Sequence, residues 1–383
     1  MMNWQNRLNR WITIGVGFLV AAALLTACQP APETKANVSG SETVEERAAR
    51  IVAAMSPEDK AGQVMMVGLM NEKLQPEDLR QLAICRAGNV ILFDRNMQSP
   101  AQVRALSGEV KQTIERQCGI APFIAVDQEG GQVLRMRDQF LPVPSQEEIG
   151  RGGSPGKARQ WAADTGRELK SMGINVNFAP VVDLGSSAER SYGSDPEMVS
   201  AYAVQACQGY AEAGIWCAIK HFPGIGKVQT DPHIDGDSVA ASKDELMQQD
   251  LKPFAAIIRQ IPADAMFVMV SNVTFPSLDA EYPACVSQPV MTDLLRETYG
   301  YKGLIVSDDM EMGAMAKHYA FSDMGVMALK AGADMVLVCH DYGHEQETHD
   351  GIVREYKANP EFRQMVDEKV MHIVETKLKM NYL

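Results

Sequence analysis

Titratable side chains follow an apolar segment near the middle of the chain. Residues 215–219 are apolar, and Lys220 and His221 come directly after them, before a Pro-Gly break. The loop beyond carries Asp231 and His233, and their spacing of two residues is expected to put both side chains on the same side if that loop is extended. Charged groups at the end of a buried strand cost free energy unless they are paired or used. An imidazole beside a carboxylate can transfer protons near neutral pH, so the spacing indicates acid–base chemistry.

The pattern of apolar segments predicts the scaffold that positions these residues. Eight short segments are almost continuously apolar, as expected for strands buried on both faces. They are residues 63–68, 89–93, 123–127, 176–183, 217–221, 266–272, 304–308 and 335–339. Segments with helical spacing separate most of them, at 99–118, 156–172, 196–213, 243–260, 288–299 and 321–331. Eight such units predict an α/β fold, a single-domain TIM (β/α)8 barrel, with a doubly wound open sheet as the alternative.

Capping residues mark the ends of several predicted helices. An amphipathic helix is expected over residues 43–55, and Ser56 followed by Pro57 is typical of the start of the next helix. Glycines are expected to close helices just before four of the strands, at Gly173, Gly214, Gly303 and Gly332.

Polar residues follow nearly every predicted strand. In a parallel barrel the carboxyl ends of all strands meet at one mouth, where active sites are built. The residues at these ends are 94–96, 127–131 with Arg135, Asp183 with 190–193, 220–221, 271–272, 307–309 and 340–341. A lone aspartate at a strand end is ordinarily a turn or a helix cap. The complete set predicts a site for a charged or polyhydroxylated ligand.

Several of these stretches resemble family 3 glycoside hydrolases of the single-domain β-N-acetylglucosaminidase type. The matching stretches are 126–131, 177–183, 190–192, 220–233 and 303–310, within a resemblance that runs from about residue 55 to about residue 340. The resemblance implies a retaining exo-β-N-acetylglucosaminidase that needs no cofactor or metal. Its substrates would be peptidoglycan fragments or chitooligosaccharides with a terminal β-linked N-acetylglucosamine.

The resemblance also implies a role for individual residues. Asp308 matches the catalytic nucleophile, and His233 matches the general acid/base, with Asp231 as its partner. Asp309 is expected to point elsewhere. The residues matching those that bind the sugar hydroxyls and the acetamido group are Asp127, Arg135, Arg190, Lys220 and His221. These types fit a retaining mechanism, in which a carboxylate forms a glycosyl-enzyme and an acid protonates the leaving oxygen.

Some positions depart from the family pattern, and they keep other functions open. They are Ile225 (His in the family), Lys227 (Asp), Val228 (Thr), Pro232 (Ser), Asn272 (His) and Gln132 (often Arg). One alternative is a β-glucosidase-like hydrolase of the same fold, and another is a sugar-binding envelope lipoprotein that has lost turnover. A metal hydrolase that uses Asp231, His233 and Asp235 is disfavoured, because no second ligand cluster is evident.

The first residues have the features of an export signal. Arg7 and Arg10 precede an apolar run that ends in Leu-Thr-Ala-Cys28, which resembles a bacterial lipobox. We therefore expect a signal peptide over 1–27, a lipidated Cys28 with a flexible tether over 28–42, and the hydrolase domain over 43–383. The following Gln29, rather than Asp, resembles the sorting signal of Gram-negative lipoproteins that are held in the outer membrane, so an outer-membrane location facing the periplasm is expected. An uncleaved membrane anchor is the alternative, although the run is short for a span.

Composition limits the possible partners. The net charge is −13, which argues against nucleic acid as a ligand, and a monomer is expected. Because an exported protein can hold disulfides, Cys85–Cys118 is one predicted bridge and Cys207–Cys217 a weaker one. Buried free thiols are the alternative.

Overall fold

The strands close into the expected barrel. The computed structural model describes residues 42–186, 189–228 and 238–380. Its strands are β1 Met65–Gly68, β2 Asn89–Leu92, β3 Phe123–Val126, β4 Val176–Asn177, β5 Trp216–Phe222, β6 Met266–Val270, β7 Thr274–Phe275, β8 Asp279–Pro283, β9 Leu304–Asp309 and β10 Met335–Val338. The parallel barrel has the order β1-β10-β9-β6-β5-β4-β3-β2, and β7 and β8 form a separate antiparallel hairpin. The TIM barrel prediction is confirmed, and the open sheet is wrong.

Helices connect the barrel strands. They are α1 Val44–Ala53, α2 Pro57–Gln63, α3 Pro76–Ile84, α4 Pro100–Cys118, α5 Gln146–Arg151, α6 Pro155–Ser171, α7 Pro196–Ala213, α8 Lys243–Gln248, α9 Lys252–Gln260, α10 Gly313–Ala316, α11 Phe321–Ala331, α12 Tyr342–Ala358 and α13 Pro360–Met380. A π-helical segment, Pro289–Thr298, lies between the hairpin and β9. Within the described ranges, none of these helices combines the length and the apolar character needed to span a bilayer.

Local chemistry explains where several helices begin and end. The Ser56 hydroxyl accepts a hydrogen bond from the Asp59 amide at 3.1 Å, so the predicted cap of α2 is confirmed. Gly214 ends α7 with a φ of 68°, in the left-handed region that favours glycine. We expected Gly303 to cap a helix, but it does not, because the preceding helical segment already ends at Thr298. A Cβ there would lie 2.3 Å from the Ala263 carbonyl oxygen, so this glycine is required for close packing.

Two predicted elements were too long. The helix expected over 243–260 is divided into α8 and α9, because Gln249 leaves the helical conformation and Pro253 cannot continue the hydrogen-bond ladder. The strand expected over 176–183 forms the barrel ladder only over Val176–Asn177. Pro180 has no amide N–H to donate to a neighbouring strand, so the ladder is interrupted there. Beyond it, Val181 forms an isolated parallel bridge with Lys220.

The cysteines of the barrel are free thiols. Cys85, Cys118, Cys207, Cys217, Cys285 and Cys339 are all buried and unbridged. The predicted Cys85–Cys118 and Cys207–Cys217 disulfides are therefore wrong, and the alternative of buried thiols is confirmed. Cys85 accepts a hydrogen bond from Gln81 Nε2 at 3.1 Å, whereas the Cys118 Sγ lies 3.7 Å from the Arg86 carbonyl oxygen. Each sulfur thus has its own partner.

A buried lysine on α13, Lys377, lies at the amino-terminal ends of β1 and β2. Lys377 Nζ donates to Gln63 Oε1 at 2.7 Å and to the Gly88 carbonyl at 3.0 Å. Burial lowers the pKa of Lys377 to about 7. The unfolded chain therefore binds this proton more tightly than the folded protein does. Between pH 7 and the ordinary lysine pKa of about 10.4, this group makes the folded state more stable as pH rises.

The Lys377→Met variant tests this linkage. We expect it to remove a rise of up to about 1.4 kcal/mol per pH unit in the free energy of unfolding between pH 7 and 10. The measurement is urea denaturation at several pH values. Lys379→Met, on the same helix, is the matched control and should keep the slope of the parent. Equal slopes in the parent and in Lys377→Met would contradict the argument.

Candidate active site

A buried group of ion pairs lies at the ends of β3 and β5. Lys220, near the end of β5, places its Nζ 2.7 Å from Asp127 Oδ1 and 2.7 Å from Glu129 Oε1. Arg190, from the loop after β4, donates two hydrogen bonds to the Glu129 carboxylate, at 2.8 and 2.9 Å. Lys220 is only 2% exposed and Glu129 only 5%. Two cations and two carboxylates from distant parts of the chain therefore meet at the barrel mouth.

Mutual pairing keeps this group charged. Burial alone would raise the pKa of Glu129, but the charges of Lys220 and Arg190 outweigh it and hold that pKa at about 2. For Lys220, burial lowers the pKa, yet Asp127 and Glu129 outweigh that effect and raise it above its ordinary value. The donors on Lys220 and Arg190 are thus fixed in position and fully charged at neutral pH.

The turn after β3 explains how Glu129 reaches this position. Gly130 and Gly131 have φ values of 98° and 56°, which favour glycine. A Cβ at Gly130 would lie 2.4 Å from the Pro144 carbonyl oxygen. The chain therefore reverses directly after Glu129, whose side chain stays within the mouth. The sequence reasoning assigned Glu129 no role, although its place before two glycines was a usable signal.

Arg135 extends the group toward β2. Its Nη1 lies 2.7 Å from Asp94 Oδ2, and its Nη2 lies 3.9 Å from Asp127 Oδ2. Its amide donates to Gln128 Oε1 at 2.7 Å, which fixes the loop that carries it. Its buried Nε has no hydrogen-bond partner in the described structure.

Asp183 organises the other side of β5. It is fully buried and accepts from the His221 amide at 3.1 Å and from the Ile225 amide at 2.9 Å. Its Oδ2 also lies 2.7 Å from His221 Nδ1. This contact fixes the orientation of the imidazole ring. Because Ile225 contributes only its backbone here, the departure from histidine leaves the contact intact. We predicted His221, and missed the part played by Asp183.

Lys227, another departure, anchors the start of the loop that follows. Its Nζ lies 2.8 Å from Glu245 Oε1 and 2.8 Å from Asp250 Oδ2. Beside it, Gly226 passes so close to Leu184 that a Cβ would lie 1.8 Å from the Leu184 carbonyl oxygen. The chain is therefore held firmly at Gly226 and Lys227.

Asp308 and Asp309 end β9 with different partners. Asp308 is half-buried, and its Oδ1 accepts from the Asp309 amide at 2.8 Å. The Asp309 carboxylate instead lies 3.0 Å from His340 Nε2, and this contact raises the pKa of His340. Asn272 donates to the Asp309 carbonyl at 2.7 Å and thereby supports the strand end. The two neighbouring aspartates are thus distinct, with Asp309 tied into a network.

Comparison with known proteins identifies the family. Residues 56–376 match the family model described as "Glycosyl hydrolase family 3 N terminal domain". The chain belongs to glycosyl hydrolase family 3. It is 31% identical to a β-hexosaminidase of Idiomarina loihiensis over 315 residues, an alignment that covers 80% of this chain and 92% of the relative. A β-hexosaminidase of Stenotrophomonas maltophilia strain R551-3 is 35% identical over 292 residues, 72% of this chain and 83% of the relative.

Solved structures agree with this family assignment. A family 3 β-N-acetylglucosaminidase from Paenibacillus sp. FPU-7 superposes with a TM-score of 0.80 at 31% identity. That match covers 85% of this chain but only 63% of the Paenibacillus chain. A β-N-acetylhexosaminidase from Beutenbergia cavernae has a TM-score of 0.78 at 29% identity, with 85% of this chain and 99% of the other covered. This family 3 chain is a glycoside hydrolase.

The structure places most of the predicted site residues of this family 3 hydrolase together. Asp127, Arg135, Arg190 and Lys220 form one connected group, and His221 lies beside Lys220 on β5. Asp308 lies at the end of β9, which β6 separates from β5 in the barrel. Asp231, His233 and Asp235 fall outside the described residues, as does Cys28. Their predicted roles therefore stay predictions.

Three side chains near β10 have the types that can ligate a metal. In the described part of the chain, the ligand atoms of Asp309, Cys339 and His340 lie within 4.8 Å of one another. However, Arg95 Nη1 lies 3.0 Å from His340 Nδ1, so a cation is already present beside the imidazole. Burial and neighbouring carboxylates also raise the pKa of the Cys339 thiol, which opposes the thiolate that a metal requires. The arrangement favours an ion-pair network that supports β9.

Proposed function

We propose that this family 3 hydrolase is a retaining exo-β-N-acetylglucosaminidase. The observation that carries the proposal is that the buried group of Lys220, Asp127, Glu129 and Arg190 lies at the same end of the barrel as the half-buried Asp308. Such fixed donors and acceptors suit the hydroxyl and acetamido groups of one sugar, and Asp308 suits attack on its anomeric carbon. The similarity to proteins named β-hexosaminidase supports this substrate class over a glucoside.

The proposed reaction has two steps. The Asp308 carboxylate attacks C1 of the bound sugar, while protonated His233 gives its proton to the departing glycosidic oxygen. A covalent glycosyl ester on Asp308 results, and the leaving sugar departs as a neutral alcohol. Neutral His233, oriented by Asp231, then takes a proton from water, and the resulting hydroxide attacks C1 and releases Asp308 as a carboxylate. Two inversions at C1 retain the β configuration.

The test compares two chromogenic substrates on the soluble form, residues 29–383. We expect nitrophenol release from the β-N-acetylglucosaminide to exceed release from the β-glucoside at equal concentration. Preferred cleavage of the glucoside would replace the substrate class with that of a β-glucosidase. A folded protein that binds N-acetylglucosamine but cleaves neither substrate would support the sugar-binding alternative and overturn the proposal.

The acid role of His233 has its own signature. His233→Ala should lower kcat/KM by about 10²- to 10⁴-fold for leaving groups of high pKa, because they need protonation to depart. Aryl leaving groups of low pKa should lose far less in the first step. The measurement is kcat/KM across a series of aryl β-N-acetylglucosaminides. An equal loss across the series would contradict the acid assignment.

We also propose that the protein is a monomeric lipoprotein, processed before Cys28 and held in the outer membrane facing the periplasm. The lipobox-like end of the signal segment and Gln29 support this location. Cys28→Ser should abolish incorporation of radiolabelled fatty acid and stop processing, and Gln29→Asp should shift the protein to the inner membrane fraction. Unchanged lipid labelling of Cys28→Ser would contradict the proposal, and membrane retention without any label in the parent would favour the uncleaved anchor.

A further inference from the structure

A groove lies between the loop that follows β3 and the helices α5 and α6. It has a volume of about 590 Å³, and its lining includes Leu134, Arg137, Val143, Glu148, Lys157 and Trp161. Cavities of about 300–1,000 Å³ are the usual size of small-ligand sites. None of the lining residues belongs to the ion-pair group at the ends of β3 and β5. The groove is therefore a separate feature that the proposed function does not use.

The walls of the groove are held by hydrogen bonds within the protein. Across the loop after β3, the Gly131 amide donates to the Val143 carbonyl at 3.1 Å. The Leu141 amide donates to Glu168 Oε2 at 3.1 Å, which ties the same loop to α6. Because its walls are fixed, the groove needs little ordering when a ligand binds, and this favours affinity.

The floor of the groove is apolar. Leu134, Val143 and Ile149 line it and are each 7–8% exposed. Trp161, on α6, also lines the groove and remains partly exposed. Covering such surface with an apolar group is favourable, and an indole ring adds a large, flat contact area. The floor therefore suits an apolar side chain of a ligand.

Two cations that line the groove have no carboxylate partner. Arg137 Nη1 and Nη2 donate to two carbonyls of the loop, at 2.9 and 3.1 Å, and these bonds fix the guanidinium. Lys157 Nζ lies 3.4 Å from the neutral side-chain oxygen of Gln160. Within the described residues, neither cation has a carboxylate at ion-pair distance. By contrast, Arg151 on α5 and Arg159 on α6 are both paired with glutamates.

Glu148 is the one carboxylate among the described lining residues. Its Oε2 accepts from the Ser145 amide at 3.0 Å, in the cap of α5, whereas its Oε1 has no hydrogen bond in the described part of the chain. The other charged side chains of the lining are the two cations, and no hydroxyl or amide side chain is among these residues. Two cations and one carboxylate complement a ligand that has two carboxylates and one ammonium group.

We infer that this groove binds a short acidic peptide with a free amino terminus. The two carboxylates of the peptide pair with Arg137 and Lys157, its ammonium group pairs with Glu148, and its apolar side chain lies on Trp161. A sugar fits less well, because its hydroxyls would meet charged and apolar groups rather than neutral hydrogen-bonding side chains. The inference goes beyond the proposed function and does not rest on it, since no residue of the groove takes part in the proposed hydrolysis.

Titration calorimetry on the purified full chain in detergent tests the site. The probe is the dipeptide Leu-Glu, which carries one ammonium group, two carboxylates and one apolar side chain, and Leu-Lys is the matched peptide. Leu-Glu should bind about tenfold more tightly than Leu-Lys, since the lysine replaces an attraction to the cations by a repulsion. Equal affinities, or no binding of Leu-Glu up to about 10 mM, would overturn the inference.

Variants locate the peptide in the groove. Lys157→Gln should lower the affinity for Leu-Glu about fivefold, which corresponds to the loss of one surface ion pair. Trp161→Ala should lower it about tenfold, because the aromatic contact is lost. Lys170→Gln is the matched control, because Lys170 is exposed at the other end of α6. Both variants should fold, because each removes an exposed or partly exposed side chain, and unchanged affinity in both would contradict the site.

The amino terminus of the peptide has a separate test. Glu148→Gln keeps the cap of α5, since a glutamine at this position can also accept from the Ser145 amide. It should weaken the binding of Leu-Glu about fivefold and leave that of N-acetyl-Leu-Glu, which has no ammonium group, unchanged. Equal losses for the two peptides would refute the pairing with Glu148.

Two comparisons separate the peptide from other ligands and from catalysis. Glucuronic acid, a sugar with a carboxylate, should bind more weakly than Leu-Glu, and tighter binding that is lost in Trp161→Ala would overturn the peptide in favour of an acidic sugar. Trp161→Ala should cleave nitrophenyl β-N-acetylglucosaminide at the rate of the parent, and a large loss would overturn the separation of the two sites. A parent that cleaves no glycoside would defeat the proposed function, and the peptide affinities would still decide the role of the groove.

Discussion

The Asp308→Asn variant is expected to lose hydrolysis of the β-N-acetylglucosaminide by about 10³-fold or more. An amide cannot supply the negatively charged oxygen that forms the glycosyl ester. Folding should be preserved, because the residue is half-buried and the asparagine Oδ1 can still accept from the Asp309 amide. Binding of N-acetylglucosamine should also be retained, since the ion-pair group at β3 and β5 is untouched.

The measurement is kcat/KM together with peptide mass analysis after reaction with a slowly hydrolysed fluorinated substrate. The sugar mass should appear on the peptide that contains Asp308. Asp264→Asn is the matched control, because Asp264 is exposed in the turn before β6, at the opposite end of the barrel. Activity near that of the parent, or a label on another carboxylate, would reject Asp308 as the nucleophile.

The Lys220→Met variant is expected to lose both activity and stability. It leaves Asp127 and the buried Glu129 without their shared cation, and breaking a buried pair in this way costs about 3–5 kcal/mol in the free energy of unfolding. Activity should fall because the donor to the sugar is lost and the carboxylates are no longer held in place.

The stability loss should depend on pH in a defined direction. In the parent, the folded pKa of Glu129 is held at about 2, so this carboxyl contributes stability above its ordinary pKa of about 4.3 and loses it as pH falls toward 2. Lys220→Met should therefore be most destabilising near neutral pH and progressively less so as pH falls from about 4.3 toward 2, because the parent loses the contribution of Glu129 over that range.

Denaturation at pH 3 and pH 7 measures this difference. Lys330→Met is the matched control, because Lys330 forms a half-exposed pair with Glu355 that should be worth less than about 1 kcal/mol. A loss in Lys220→Met that is as small as in the control, or equal at both pH values, would contradict the argument.

The barrel was predictable because its strands are buried on both faces, which leaves an unbroken apolar signature in the sequence. Their order and closure confirm that interpretation. The interruption of 243–260 was harder to foresee, since Pro253 is tolerated near the start of a helix and does not by itself show that the preceding helix has ended at Gln248. The role of Gly303 was also misassigned, because its requirement arises from a neighbouring carbonyl far away in sequence.

Ion-pair partners were the least predictable part of the site. Lys220 and Asp127 are separated by 93 positions, and only closure of the barrel brings them together. Glu129 lies two residues from Asp127, and nothing in the local pattern says that it pairs with both Lys220 and Arg190. The sequence pattern indicated which residues lie at the barrel mouth. Which of them form ion pairs with each other depends on the tertiary structure.

The contacts on either side of residues 229–237 have a consequence for catalytic rate. Lys227 is tied to Glu245 and Asp250 before this segment, and Ser238 pairs with Thr274 after it. The segment that carries His233 is thus tied to the barrel at both of its ends. In the proposed mechanism, these two attachments set the effective molarity of the His233 imidazole at the bound substrate. Because loop-closure entropy grows only slowly with length, the attachments matter more to that effective molarity than the number of residues between them.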